Sequence, residues 1–241
     1  MQDDDLNQVA QWLAQAQRIV SFSGAGLSKA SGIPTYRDAG GLWTQGGNLR
    51  FSSAEALRDD PEGFAEFWQR RQAELARAEP NAGHLALARL EALRPQVDHI
   101  TQNVDGLLAR AGCRRVLELH GSLQRYRCDA CGARDLAPAR LCPQCGAAAR
   151  PDVVMFGEFL PDAVLAEAEW AAKRSEVCLV VGTSAVVHPA AGLVEKAALR
   201  GARVVVINVE ASAVDGLADQ LLRGPAEQLL PELLSRLESR A

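Results

Sequence analysis

Four cysteines, paired as Cys128/Cys131 and Cys142/Cys145, constrain this chain more than any other feature, and they begin eight residues after His120. Two paired-thiolate corners joined by a short loop are what a tetrahedral zinc ion needs, with four soft ligands at about 2.3 Å. The second corner reads Cys142-Pro143-Gln144-Cys145-Gly146, where Pro and Gly supply the tight turn. Four thiolates leave no open coordination position, so one such zinc per chain holds a fold and takes no part in chemistry. The alternatives are disulfides or a thioredoxin-like redox pair. The opening Gln2-Asp3-Asp4-Asp5 has no basic n-region and no cleavage site follows, so an oxidising compartment is not implied and the expected location is cytoplasmic. A redox site needs one Cys-x-x-Cys, not two in tandem. Cys113 and Cys178 lie outside the corners and read as buried apolar thiols.

At 241 residues the chain is long enough for a sizeable core, as one domain over 1–241 that carries an inserted module. A net charge of −4 leaves no electrostatic footprint for nucleic acid. No apolar run approaches the ~20 residues that a bilayer span requires. Leu6, Val9, Ala10, Leu13 and Ala16 recur at helical spacing. Short apolar strands are expected at 18–23, 97–102, 116–119, 177–181 and 204–209. Helices are expected at 81–93, 161–173 and 189–199, with another after Pro225. This alternation predicts an α/β protein with a parallel sheet covered by helices on both faces. Residues 121–152 break the rhythm and read as a small zinc-binding module, too short for a core of its own.

The first strand runs into Gly24-Ala25-Gly26-Leu27-Ser28, in outline a phosphate-binding turn ahead of a helix. Lys29 stands where the dinucleotide fingerprint has its third glycine, so a plain dehydrogenase is poorly supported. Further on come Gly32-Ile33-Pro34-Thr35-Tyr36-Arg37, Gln102-Asn103-Val104-Asp105, His120-Gly121, Phe156-Gly157-Glu158, Gly182-Thr183-Ser184 and Asn208-Val209-Glu210. With the four cysteines, these signatures in this order resemble the sirtuins, the NAD-dependent protein-lysine deacylases, over nearly the whole chain. The bacterial type is the nearer likeness, in the branch with deacetylases and desuccinylases. The resemblance implies a larger Rossmann-like domain and a small zinc-binding lobe, with NAD and an acyl-lysine peptide meeting between them. The implied products are free lysine, nicotinamide and 2′-O-acyl-ADP-ribose.

The resemblance also implies roles. His120 is the general base, suited to it because an imidazole exchanges protons near neutral pH. Asn103 positions ribose and water, and Asp105 meets the nicotinamide carboxamide. Gly24, Ala25, Gly26, Ser28, Ile33, Tyr36, Arg37, Trp43 and Gln102 complete the nicotinamide and phosphate side. Gly182, Thr183, Ser184, Asn208, Glu210 and Ala226 form the adenosine side. The apolar run 151–158 reads as an exposed strand edge, where Val154, Phe156, Gly157 and Glu158 recruit acyl-lysine peptides by backbone pairing. His188 touches peptide without catalysing. His84 and His99 are read as structural.

The chain departs from the branch that clamps succinyl- or malonyl-lysine with a Tyr-x-x-Arg pair. Arg71 occupies the Arg position, but Trp68 stands where Tyr is expected. Arg71 retains the bidentate fork that suits a carboxylate, whereas Trp68 offers only an indole N–H and a bulkier ring. A plainer alternative makes Phe64, Phe67, Trp68 and Leu75 the apolar face of a helix, with Arg70 and Arg71 in solvent. Two other functional classes stay open: an NAD-consuming ADP-ribosyltransferase or hydrolase, and a non-catalytic zinc-bearing binding module.

Overall fold

The computed structural model describes residues 2–35, 48–137 and 140–240. In chain order the strands are β1 (Arg18–Ser23), β2 (Gln96–Thr101), β3 (Val116–Glu118), β4 (Gly121–Arg127), β5 (Arg150–Val153), β6 (Val177–Val181), β7 (Arg203–Asn208) and β8 (Gln220–Arg223). The helices are α1 (Gln2–Gln15), α2 (Ala54–Asp59), α3 (Pro61–Arg77), α4 (Ala82–Leu93), α5 (Leu107–Arg110), α6 (Asp162–Arg174), α7 (Gly192–Leu199) and α8 (Ala226–Glu238). The expected strands 18–23 and 177–181 match residue for residue. The other ends move by a residue, because apolar patterning specifies the interior of an element more sharply than its ends. The expected helix 189–199 starts later, since 188–191 form a separate turn.

Six strands form one parallel sheet in the order β3-β2-β1-β6-β7-β8, and β4 pairs with β5 antiparallel outside it. Alternate residues of a strand face opposite sides. Ile19, Val177, Leu179 and Val181 therefore meet α1, α4 and α8 on one face. Val20, Phe22, Cys178 and Val180 meet α6 and α7 on the other. Leu6, Val9, Ala10 and Leu13 are all buried against the first of these cores, as their spacing predicts. Two-sided burial explains why the central strands are continuous apolar runs and not alternating ones.

The smaller lobe has its own apolar cluster. α3 begins with Pro61 at its first position and Asp60 as its cap, whose Oδ1 accepts from Gly63 N at 2.9 Å. Its buried residues Phe64, Phe67, Trp68 and Leu75 pack with Leu123, Val153 and Met155 from the β4–β5 side. The knuckles sit between β4 and β5 with very little core, chiefly Tyr126, Cys128, Leu136 and Cys142.

Candidate active site and zinc corner

The sheet order reverses direction between β1 and β6, and open α/β sheets bind ligands outside the carboxyl ends of the strands at such a switch point. The sequence motifs converge there. Gly24 and Gly26 follow β1, and Gly182 follows β6. A methyl group on Gly26 would lie 2.8 Å from Gly182 Cα, and one on Gly182 would lie 2.3 Å from Leu27 N. The glycines thus let two loops cross in contact. Gly24 N donates to Val181 O at 3.1 Å and Gly26 N to Gly182 O at 2.8 Å, so these two amides serve the crossing and not a phosphate. The segment after Gly24 is also tighter than the expected helix. It is a 3-10 turn, Ala25–Ser31, closed by Gly32 at φ +83°.

Ser28, on that turn, organises the buried polar centre. Its hydroxyl donates to Asp105 Oδ2 at 2.7 Å and accepts from Asn103 Nδ2 at 3.2 Å. Asn103 Nδ2 also reaches Gly24 O at 3.0 Å, and Asp105 Oδ1 accepts from Leu107 N at 2.9 Å. His84 was read as structural, and it does cap α4: Asn81 N donates to its Nδ1 at 3.3 Å. Its Nε2 lies 3.4 Å from Ser28 Oγ, a link to the site that sequence reasoning missed. Burial pushes His84 down to about 4, so the ring is neutral. On the other side of the switch point, Gln102 Nε2 donates to Thr183 Oγ1 at 3.0 Å, and Asn208 Nδ2 to Thr183 O at 3.2 Å. Side-chain amides, hydroxyls and a carboxylate at a switch point form a set of donors and acceptors that suits the riboses and carboxamide of NAD.

His120 follows β3, and its Nδ1 lies 2.9 Å from Gln102 O. A carbonyl only accepts, so Nδ1 carries the hydrogen and Nε2 keeps its lone pair. Burial pushes the imidazole below its ordinary value of 6.5, partly offset by that carbonyl bond. The neutral, basic form therefore persists further into acid than for a free histidine. The expected pH profile of kcat loses activity as pH falls through this lowered pKa, with its acid limb below 6.5. A limb at or above 6.5 in a steady-state profile would contradict the assignment.

The other predicted residues divide. Ile33 is half-buried against the small-lobe core, and Ala226 is buried at the start of α8. Ser184 O accepts from Ala213 N at 2.9 Å, and Glu210 is exposed, its carbonyl accepting from Arg223 Nη1 at 2.9 Å. His188 is exposed in the turn after β6. Tyr36, Arg37 and Trp43 lie outside the described residues. Within 151–158 the exposed edge is narrower than expected. Residues 150–153 pair with β4, Val154 N donates to His120 O at 2.9 Å, and Phe156 N donates to Ser52 O at 2.8 Å. Only Phe156 and Gly157 are exposed.

Trp68 is 7% exposed, and its indole Nε1 donates to Phe51 O at 2.9 Å. The helix-face alternative holds for the aromatics but not for Arg71, whose side chain is only 14% exposed and pairs with Glu74.

The four cysteines converge. Cys128 Sγ and Cys145 Sγ are 3.6 Å apart, and Cys131 Sγ and Cys142 Sγ are 3.7 Å apart. A tetrahedron with metal–sulfur bonds of about 2.3 Å has edges of about 3.8 Å, so the geometry fits structural zinc and not disulfides. Arg150 then joins this corner to the segment 153–158, a link without a signal in the sequence. It is buried, donating from Nε to Asp129 Oδ2 at 2.6 Å, between two of the ligand cysteines. It also donates to Val153 O at 3.2 Å and pairs with Glu158, whose Oε2 accepts from Met155 N at 2.9 Å. Arg150 is buried but its carboxylate partners are 53% and 23% exposed, so the scale of the loss is that of a charged hydrogen bond, about 1.5–3 kcal/mol, and not that of a fully buried pair. Arg150→Met is expected to raise KM for an acyl peptide at least about tenfold and leave KM for NAD unchanged. Equal effects on both would show general unfolding instead.

Comparison with known proteins supports the same family. The Sir2 family model matches residues 24–189. A protein of Thermococcus kodakarensis described as an NAD-dependent protein deacylase is 43% identical over 246 residues, 97% of this chain and 96% of its own. A Sir2 homologue in complex with NAD has a TM-score of 0.90 at 38% identity, covering 97% of this chain and 94% of that one. A Sir2 protein bound to a myristoylated histone peptide has a TM-score of 0.79 at 32% identity, covering 99% of this chain and 98% of the other. The match over most of the chain agrees with the switch-point cleft, the oriented His120 and the four-cysteine corner, and this chain belongs to the Sir2 family.

Proposed function

We propose that this protein is an NAD-dependent protein-lysine deacylase, in which acyl-lysine, NAD and one water are converted to free lysine, nicotinamide and 2′-O-acyl-ADP-ribose. The observation that carries the reading is His120, neutral and with Nε2 unprotonated, at the carboxyl edge of the sheet beside Asn103 and the Ser28–Asp105 pair. NAD, when bound, supplies an electrophilic ribosyl carbon and the hydroxyl that accepts the acyl group. His120 Nε2 takes the proton from that hydroxyl. Asn103, fixed by Gly24 O, orients the ribose, and Asp105 is held in place by Ser28 and Leu107 N to receive the carboxamide. Thr183 and Asn208, on the far side of the switch point, hold the adenosine half. Phe156 and Gly157 face the peptide.

The test is nicotinamide release by purified protein from NAD with and without an acetyl-lysine peptide. Peptide-dependent release with stoichiometric O-acyl-ADP-ribose supports deacylation. Release without peptide favours the hydrolase or ADP-ribosyltransferase alternative. No helix among the described residues is long and apolar enough to cross a membrane, and free thiolates at a zinc corner suit a reducing compartment such as the cytoplasm.

Acyl preference follows from Trp68 and Arg71. The indole N–H is engaged by Phe51 O, and Glu74 already holds Arg71 Nη1 and competes with an acyl carboxylate for the guanidinium, so both ends of an acidic-acyl clamp are weakened. A hydrogen bond to a charged group contributes about 1.5–3 kcal/mol. Acetyl-lysine is therefore expected to exceed succinyl-lysine in kcat/KM by about 10- to 100-fold, with Trp68→Tyr plus Glu74→Gln narrowing the gap. Matched acetyl and succinyl peptides decide it, and an equal or reversed preference would refute it.

A further inference from the structure

Away from the cleft, Glu91, His99 and Cys113 bring three different ligating atoms together from α4, β2 and the turn before β3. Their ligating atoms all lie within 4.8 Å of one another. His99 is fully buried, and its Nδ1 lies 2.8 Å from Ser21 Oγ. Its Nε2 is buried without a hydrogen-bond partner, 3.5 Å from Glu91 Oε2. An orphaned buried ring nitrogen is uncommon and calls for a physical reason. A serine hydroxyl both donates and accepts, so Nδ1–H can donate to Ser21 and leave the Nε2 lone pair facing Glu91 and Cys113.

We propose that Glu91, His99 and Cys113 form a second metal site, for a borderline divalent transition ion of the zinc class. The donor set is one carboxylate, one imidazole and one thiolate, the N, O and S ligands that such ions accept. Carboxylate plus thiolate sum to two negative charges, so a divalent cation leaves the buried cluster neutral. Binding displaces the thiol proton to solvent. One neighbouring cation already pairs with the cluster, the exposed side chain of Arg114. Arg114 holds Glu91 through its backbone N at 2.8 Å and its Nε at 3.3 Å, and Arg115 pairs with Asp98. Ser21 fixes the imidazole from behind, as ligating histidines are usually oriented by a bond to their other nitrogen. Such an ion would tie α4, β2 and the turn before β3 together.

The experiment is metal counting by plasma mass spectrometry on full-length protein equilibrated with excess zinc and then gel-filtered. The wild type is expected to hold two zinc ions per chain, and Cys113→Ser and His99→Gln one each, with nicotinamide release by Cys113→Ser unchanged. One zinc per chain in the wild type overturns the proposal. So does a count of two that persists in both variants, because the second ion would then lie elsewhere. If His99→Gln fails to fold, Glu91→Gln takes its place, and the wild-type count decides the question even without variants.

Discussion

His120→Ala is expected to lower kcat for deacylation by about 100- to 10,000-fold, the range that a positioned general base contributes. Binding of NAD should change little. Among the described residues the imidazole's hydrogen bond runs from Nδ1 to Gln102 O, on the side away from the reacting nitrogen. Removing the ring leaves the Ser28–Asn103–Asp105 network intact, since none of those bonds passes through His120. Steady-state turnover beside calorimetric NAD binding separates the two effects. Tight binding with lost turnover identifies a base. Loss of both would recast His120 as a support for the loop after β3, which it also anchors through the bond from Val154 N to its carbonyl. His120→Asn, close in size, distinguishes the same two cases without leaving a cavity.

Removing zinc from the four cysteines is expected to abolish turnover. The segment between β4 and β5 buries only a handful of apolar side chains, so the ion supplies most of what holds it. Structural zinc in small modules contributes an apparent 10–16 kcal/mol, more than the whole stability of many domains, about 5–15 kcal/mol. Its loss is expected to propagate through Arg150, whose partner Asp129 lies between Cys128 and Cys131 and whose other partner, Glu158, holds Met155 N in the segment proposed to face the peptide. The parallel sheet has two large cores of its own and should remain folded. Chelation, or Cys142→Ser, followed by circular dichroism and turnover is the check. Most helical signal should survive while activity disappears, and zinc should restore it to the chelated wild type. Full activity in metal-free protein would show that the corner is dispensable.

The elements read most easily from the sequence are those whose signal is local. The apolar runs at 18–23 and 177–181 are strands because a two-sided sheet demands continuous burial there, and α1 follows from the spacing of Leu6, Val9, Ala10 and Leu13. The cysteine spacing alone specifies a metal corner, and its sulfur separations fit. His84, read as structural, does cap α4 together with Asn81. Less legible were features made by residues far apart. Gly24, Gly26 and Gly182 look like a phosphate turn in sequence, yet the closest demand on them is the crossing of two loops. Trp68 carries a donor that a sequence leaves free, and the fold brings Phe51 O to meet it.

Five of the six strands of the sheet, the cysteine corner and the polar residues at the strand ends were legible in short segments, because periodicity and ligand spacing are local; the edge strand β8, with only Leu222 buried, carries no such apolar run. Only the folded chain reveals which nitrogen of His120 is basic, that Arg71 faces Glu74 and not solvent, and that Arg150 connects the cysteine corner to Glu158. Each depends on hydrogen-bond partners whose direction is set only when the chain closes on itself, so no local pattern encodes it.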